Sequence, residues 1–168
     1  TRFDEAASLN EIFKHGTLSI GFIGLSKAFE ILSGKKFYLD GTTCLAAEGV
    51  VAFMRDYCDT LRSVTNLNFS LLATSGELIS GRFTEIDKAK FNPTCKIFDK
   101  GYYTNSFHVD VDSELPAKRK IQIEGIFHPY CNGGSITYVE LGEAPLGNDE
   151  GLMELVETAV KSGGRYPG

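Results

Sequence analysis

No apolar run in these 168 residues approaches the roughly 20 needed to cross a bilayer as a helix. The opening Thr1-Arg2-Phe3-Asp4-Glu5 has neither the basic start nor the apolar core of a secretory signal. No membrane partner is therefore expected, and a cytoplasmic setting follows by default. Positive charge is also scarce: 17 Lys and Arg against 22 Asp and Glu leave a formal charge of −5. That balance excludes broad electrostatic attraction to nucleic acid or anionic lipid, so any anion site must be a local pocket. The four cysteines, Cys44, Cys58, Cys95 and Cys131, form no Cys-x-x-Cys pair, and neither a zinc site nor a dithiol can be read from their spacing. Gly21 and Gly24 fall short of a Gly-x-Gly-x-x-Gly fingerprint and are read as packing positions, not as a dinucleotide site. The chain does not begin with methionine, which gives the expectation of a piece of a longer product.

What is present suits one globular α/β unit: 42% hydrophobic and 23% charged residues, enough to build a core. Helical periodicity is expected over 4–14, 25–32, 42–64, 77–86 and 149–161. The stretch 116–130 is ambiguous, because Ile121 and Ile123 alternate as in a strand while Ile121, Gly125 and His128 share a helix face; it is read as helix. Strands are expected near 18–23, 67–73, 102–109 and 135–141, with 87–100 as a surface connector. The result is a parallel or mixed sheet covered by helices. Open edges of such a sheet predict self-association.

Chemistry is expected in the stretch 66–83. An apolar strand runs into Thr74-Ser75-Gly76-Glu77, whose hydroxyls, glycine and first-turn carboxylate mark a helix N-terminus. Such an end presents unpaired N–H groups and a positive dipole to an anion, so Thr74, Ser75, Gly76 and Glu77 are candidate phosphate ligands. A helix that merely caps itself is the competing reading. Thr104, Asn105 and Ser106, polar and consecutive between β-formers, either face solvent or line a ligand cavity. His15 is read as complementing a helix C-terminus, and His108 as either a hydrogen-bonded structural residue or a catalytic one. No catalytic or metal-binding residue is assigned.

Four ordered blocks carry a resemblance that spans nearly the whole chain. They begin with His15-Gly16-Thr17-Leu18-Ser19-Ile20-Gly21-Phe22-Ile23-Gly24-Leu25 and the stretch 66–83. Tyr102-Tyr103-Thr104-Asn105-Ser106-Phe107-His108-Val109 and Cys131-Asn132-Gly133-Gly134-Ser135-Ile136-Thr137-Tyr138-Val139-Glu140-Leu141 complete the set. Together they resemble the anaerobic ribonucleoside-triphosphate reductases, glycyl-radical enzymes that make deoxyribonucleotides. The resemblance implies a ten-stranded α/β barrel of which residues 1–168 form one part. It also implies that the thiyl-radical cysteine and the ATP-binding effector region lie upstream, and that a four-cysteine zinc site and the glycyl radical lie downstream. It implies a ribonucleoside triphosphate substrate, a radical-SAM activating protein and a homodimeric parent, with this piece inactive alone. Thr74-Ser75-Gly76-Glu77 matches the family's substrate-phosphate turn. The family commonly has proline and alanine where this chain has Ser75 and Gly76. Another glycyl-radical enzyme of the formate-lyase type, or a free-standing phosphate-binding module, are the alternatives.

Overall fold

The computed structural model describes residues 9–91, 96–142 and 145–164. The chain opens with a short helix α1, Leu9–Lys14, and a strand β1, Thr17–Phe22. Gly24, in the left-handed conformation, turns β1 into helix α2, Leu25–Ser33, which ends on a second left-handed glycine, Gly34, whose N–H donates to Glu30 O. Helix α3, Gly41–Thr65, starts where the Asp40 carboxylate accepts from both the N–H and the hydroxyl of Thr43, and stops at Asn66, also left-handed. Strand β2, Asn68–Ala73, follows, then helix α4, Glu77–Phe91. The later elements are a 3-10 turn Lys96–Phe98, helix α5 Ala117–Gly125, a 3-10 turn His128–Tyr130 and helix α6 Asp149–Lys161.

β1 and β2 pair in parallel from Thr17 opposite Asn68 to Phe22 opposite Ala73, with α2 and α3 as the crossover. α3 lays Ala47, Val51 and Cys58 onto this pair, and the core continues through Leu71, Phe107, Val109, Ile123 and Phe127. The rings of Phe107 and Phe127 stack at 5.3 Å, and Phe37 meets Phe127 edge-on at 5.6 Å.

The architecture is thus mixed α/β with a small parallel sheet. Two expected strands did not form. Residues 102–109 carry one antiparallel bridge, Asn105 to Ile23, after which Ser106 takes a positive φ of 35° and His108 N–H turns back to Asn105 O. A run interrupted by a left-handed residue cannot hold a ladder. Residues 135–141 were the most strand-like in composition, yet the backbone bonds beside β2 are made just before them, at 132–134. Gly133 N–H donates to Leu71 O, Ala73 N–H to Gly134 O, and the Asn132 side chain accepts from Leu71 N–H. After that point Thr137 carries one more isolated bridge position, and the side chains of Ser135, Thr137 and Glu140 add hydrogen bonds of their own. Residues 116–130 are helical as read, though α5 stops at Gly125 and only a 3-10 turn follows. α4 runs five residues past its expected end, and the expectations for residues 4–8, 92–95 and Cys95 fall outside the described residues.

Candidate functional site

The turn after β2 is built by close packing. Ser80 N–H donates to Gly76 O at 2.7 Å, which makes Gly76 the residue that opens α4. The N–H groups of Gly76, Glu77, Leu78 and Ile79 are therefore left without an intrahelical acceptor. Gly76 is buried, and a Cβ there would come 3.2 Å from Ile23 Cγ2. Ser75 is exposed. Thr74 is half-buried, and its hydroxyl makes only a long 3.5 Å bond to Leu72 O, which leaves most of its hydrogen-bonding capacity unused. The space that hydroxyl occupies exists because β1 has a glycine opposite: a Cβ on Gly21 would lie 1.9 Å from Thr74 Oγ1.

One turn along α4, Ser80 lines a cavity of about 120 Å³ whose other walls include Thr104, Asn105, His108, Tyr138 and Glu140. The 104–106 segment is fixed by its backbone, with Gly24 N–H donating to Thr104 O at 2.7 Å and Leu25 N–H to Ser106 O at 3.2 Å. Its side chains are not so fixed: Thr104 Oγ1, Asn105 Oδ1 and Ser106 Oγ are buried without a partner, as is Ser26 Oγ in the first turn of α2. Thr104 and Asn105 lie on the cavity wall, while Ser106 is fully buried behind it.

Three buried polar groupings lie nearby, and of their members the sequence reading had singled out only His108, which is hydrogen-bonded here. Lys27 Nζ sits 2.7 Å from Asp110 Oδ1, and Tyr38 OH donates to Asp110 Oδ2 at 2.8 Å. Burial alone pushes the Asp110 carboxyl up, but the hydrogen bonds from Lys27 and Tyr38 and the charges of Lys27 and Lys100 outweigh it and hold the group below its ordinary value. Burial first, then the bond to Asp110, pushes the Tyr38 phenol far up. Glu124, fully buried, accepts Val109 N–H at 3.0 Å on one oxygen and faces His108 Nδ1 at 3.1 Å with the other. His128, also fully buried, lies between Ser135 Oγ at 3.0 Å and Thr137 Oγ1 at 2.8 Å. The one available signal was the density of His, Asp and Thr in stretches expected to be core strands, where unpaired polar groups are costly.

Cys44 and Cys58 are free thiols, and burial pushes both up, which makes them poor nucleophiles. Among the described residues no group of three or more His, Cys, Asp or Glu could hold a metal ion, and no helix is long and apolar enough to cross a membrane.

Comparison with known proteins places the chain in a family. The family model described as anaerobic ribonucleoside-triphosphate reductase matches residues 2–166. A protein of Escherichia coli (strain K12) bearing that name is 36% identical over 143 residues, covering 83% of this chain and 20% of the relative. One from Salmonella typhimurium is 38% identical over 136 residues, 79% of this chain and 19% of the relative. One from Enterobacteria phage T4 is 33% identical over 133 residues, 78% of this chain and 20% of the relative. The chain spans about a fifth of the length of these curated relatives. With nearly every residue matched by the family model, the chain belongs to the anaerobic ribonucleoside-triphosphate reductase family.

Proposed function

We propose that the chain is part of the catalytic α/β barrel, ten-stranded when entire, of an enzyme that converts ribonucleoside triphosphates to deoxyribonucleoside triphosphates by glycyl and thiyl radical chemistry. Its contribution is a stretch of barrel wall and the place where the substrate's phosphates rest. The observation that carries this reading is the β2-to-α4 turn. Gly76 opens α4 there, unpaired N–H groups follow at the start of the helix, and the half-free Thr74 hydroxyl stands beside them. The helix dipole and charge-assisted bonds to phosphate oxygens act together at such an end. The family match does not favour the formate-lyase type or a free-standing phosphate-binding module.

The glycyl radical, the structural zinc and the ATP effector belong, in this reading, to other parts of the parent. So do the contacts with an activating protein and with a second subunit. No residue described here is assigned to any of them. The chain alone is expected to bind triphosphate weakly and to be inactive, since the remaining walls of the barrel are missing from its site.

The test is Gly76→Pro in the full-length parent. Proline removes the Gly76 N–H and distorts the entry to α4, so the KM for the ribonucleoside triphosphate should rise about tenfold, the worth of one hydrogen bond to a charged oxygen. The glycyl-radical yield by electron paramagnetic resonance should not change. An unchanged KM in a folded variant would return the turn to a self-capped helix.

A further inference from the structure

We infer that Asn132 is a site of spontaneous covalent modification, ring closure onto Gly133 with loss of ammonia, and that β2 holds the reaction off for as long as residues 132–134 stay docked on it. Asn132 is the one asparagine in the sequence that is followed by glycine, the neighbour that hinders such ring closure least. Both residues are exposed. Packing demands the glycine all the same: a Cβ at 133 would lie 2.8 Å from Ser70 Oγ and 2.9 Å from Leu71 O. The most reactive asparagine step in the chain therefore stands where a bulkier, more protective neighbour does not fit.

In the reaction Gly133 N gives up its proton and bonds to Asn132 Cγ, and the side-chain nitrogen leaves as ammonia. Water then opens the cyclic imide. Hydrolysis at the former side-chain carbonyl gives aspartate; at the main-chain carbonyl it gives isoaspartate, whose backbone runs through the old side chain and is one carbon longer. The structure blocks the first step. The electron pair that attacks is the one the departing proton leaves behind, and Gly133 N–H points at Leu71 O, at 2.7 Å. The carboxamide is fixed as well, because Asn132 Oδ1 accepts Leu71 N–H at 2.9 Å. Leu71 thus grips both reacting groups side by side, as it would the C=O and N–H of a paired strand residue. Ring closure needs that grip and the next bond, Ala73 N–H to Gly134 O at 3.0 Å, to open. The two products differ in what they can rebuild. Aspartate still offers an oxygen to Leu71 N–H, now in a charge-assisted bond. The longer backbone of isoaspartate shifts Gly133 and Gly134 out of register, so β2 loses two backbone bonds just ahead of the Thr74 turn.

The test compares the folded chain with the chain in urea above its unfolding transition and with a free peptide of residues 128–137, at one pH and temperature. Conversion at Asn132 is followed by mass spectrometry after digestion, with aspartate and isoaspartate separated by chromatography. The peptide and the unfolded chain should convert at one rate, and the folded chain about a hundredfold more slowly. Because both processes need the same opening, the slowing should match the protection of the Gly133 amide against hydrogen exchange to within about tenfold. Chain aged in urea and then refolded should carry aspartate, but not isoaspartate, at 132 in its native fraction. Asn132→Asp should fold with the urea midpoint of the wild type. Conversion of the folded chain at the peptide's rate, a slowing further than that from the Gly133 protection, isoaspartate in native chain, or a lowered midpoint in Asn132→Asp would each overturn the inference.

Discussion

Asp110 shows how a single residue can be set by partners distant in sequence. Its carboxylate and the Lys27 ammonium are both buried, so removing either leaves the other uncompensated: Lys27→Met should cost about 3 kcal/mol in urea unfolding. The pH dependence follows from the lowered Asp110 value. The group contributes stability that is complete above its ordinary value of 3.8 and is lost as pH falls through the lower folded value. Urea midpoints measured downward from about pH 5 should therefore drop less steeply in Asp110→Asn than in the wild type. Nothing in the local sequence announced this pair, because Lys27 lies in an ordinary helical pattern and Asp110 in a segment without period. The Thr74 turn was legible, since capping residues act within a few positions of one another. Gly21 was legible as a packing position, but not its partner: its missing side chain makes room for Thr74 Oγ1, which follows another strand. Gly21→Ala should displace that hydroxyl and cost about 1–3 kcal/mol. In Gly21→Ala/Thr74→Ala the second change should cost far less than it does alone, a coupling that a double-mutant cycle in urea would measure.

At the scale of elements, helices were read better than strands, for a physical reason. α2, α3 and α6 carry their own periodicity and caps, such as Asp40 for α3 and Asn148 for α6, so local chemistry suffices. α4 outran its expected end because Lys88, Ala89 and Lys90 are all good helix formers. A strand needs a partner, and β-forming residues report only how well a segment suits a pleated surface. Residues 135–141 have that composition, but they form an isolated bridge contact instead of a strand, and the side chains of Ser135 and Thr137 bond to His128 and that of Glu140 to Lys120. The docking of α5 on α6 is as specific as any ladder. A Cβ on Gly125 would lie 2.3 Å from Ser162 O, a backbone atom that cannot rotate away. Gly125→Ala should therefore lift the C-terminal end of α6, seen as faster amide exchange across 149–161 with little change in β1 and β2.

For the whole molecule, the feature with most consequence is the apolar surface left uncovered. Phe53, Tyr57 and Val64 form a stripe on α3, and Leu78, Ile79, Phe83 and Ile86 another on α4, where Leu78 is 91% exposed. A two-stranded sheet with such faces is at the lower limit of independent stability. The chain should self-associate, with its sedimentation coefficient rising with concentration and falling back in Phe53→Glu. A single unchanging monomer boundary would count against it.

The parallel pairing of β1 with β2 also sets the order in which the chain can assemble. Ser19 and Ser70 meet across 51 positions, and closing so long a loop costs about 3.5 kcal/mol before any ladder bond repays it. α3 occupies half of that interval, so its formation shortens the loop that remains to be searched. Gly49 lies in its interior, exposed, with open space where a Cβ would go. Gly49→Ala should stabilise the chain by about 1 kcal/mol. If α3 forms before the strands meet, most of that gain should appear as faster refolding in stopped-flow mixing, with the unfolding rate nearly unchanged.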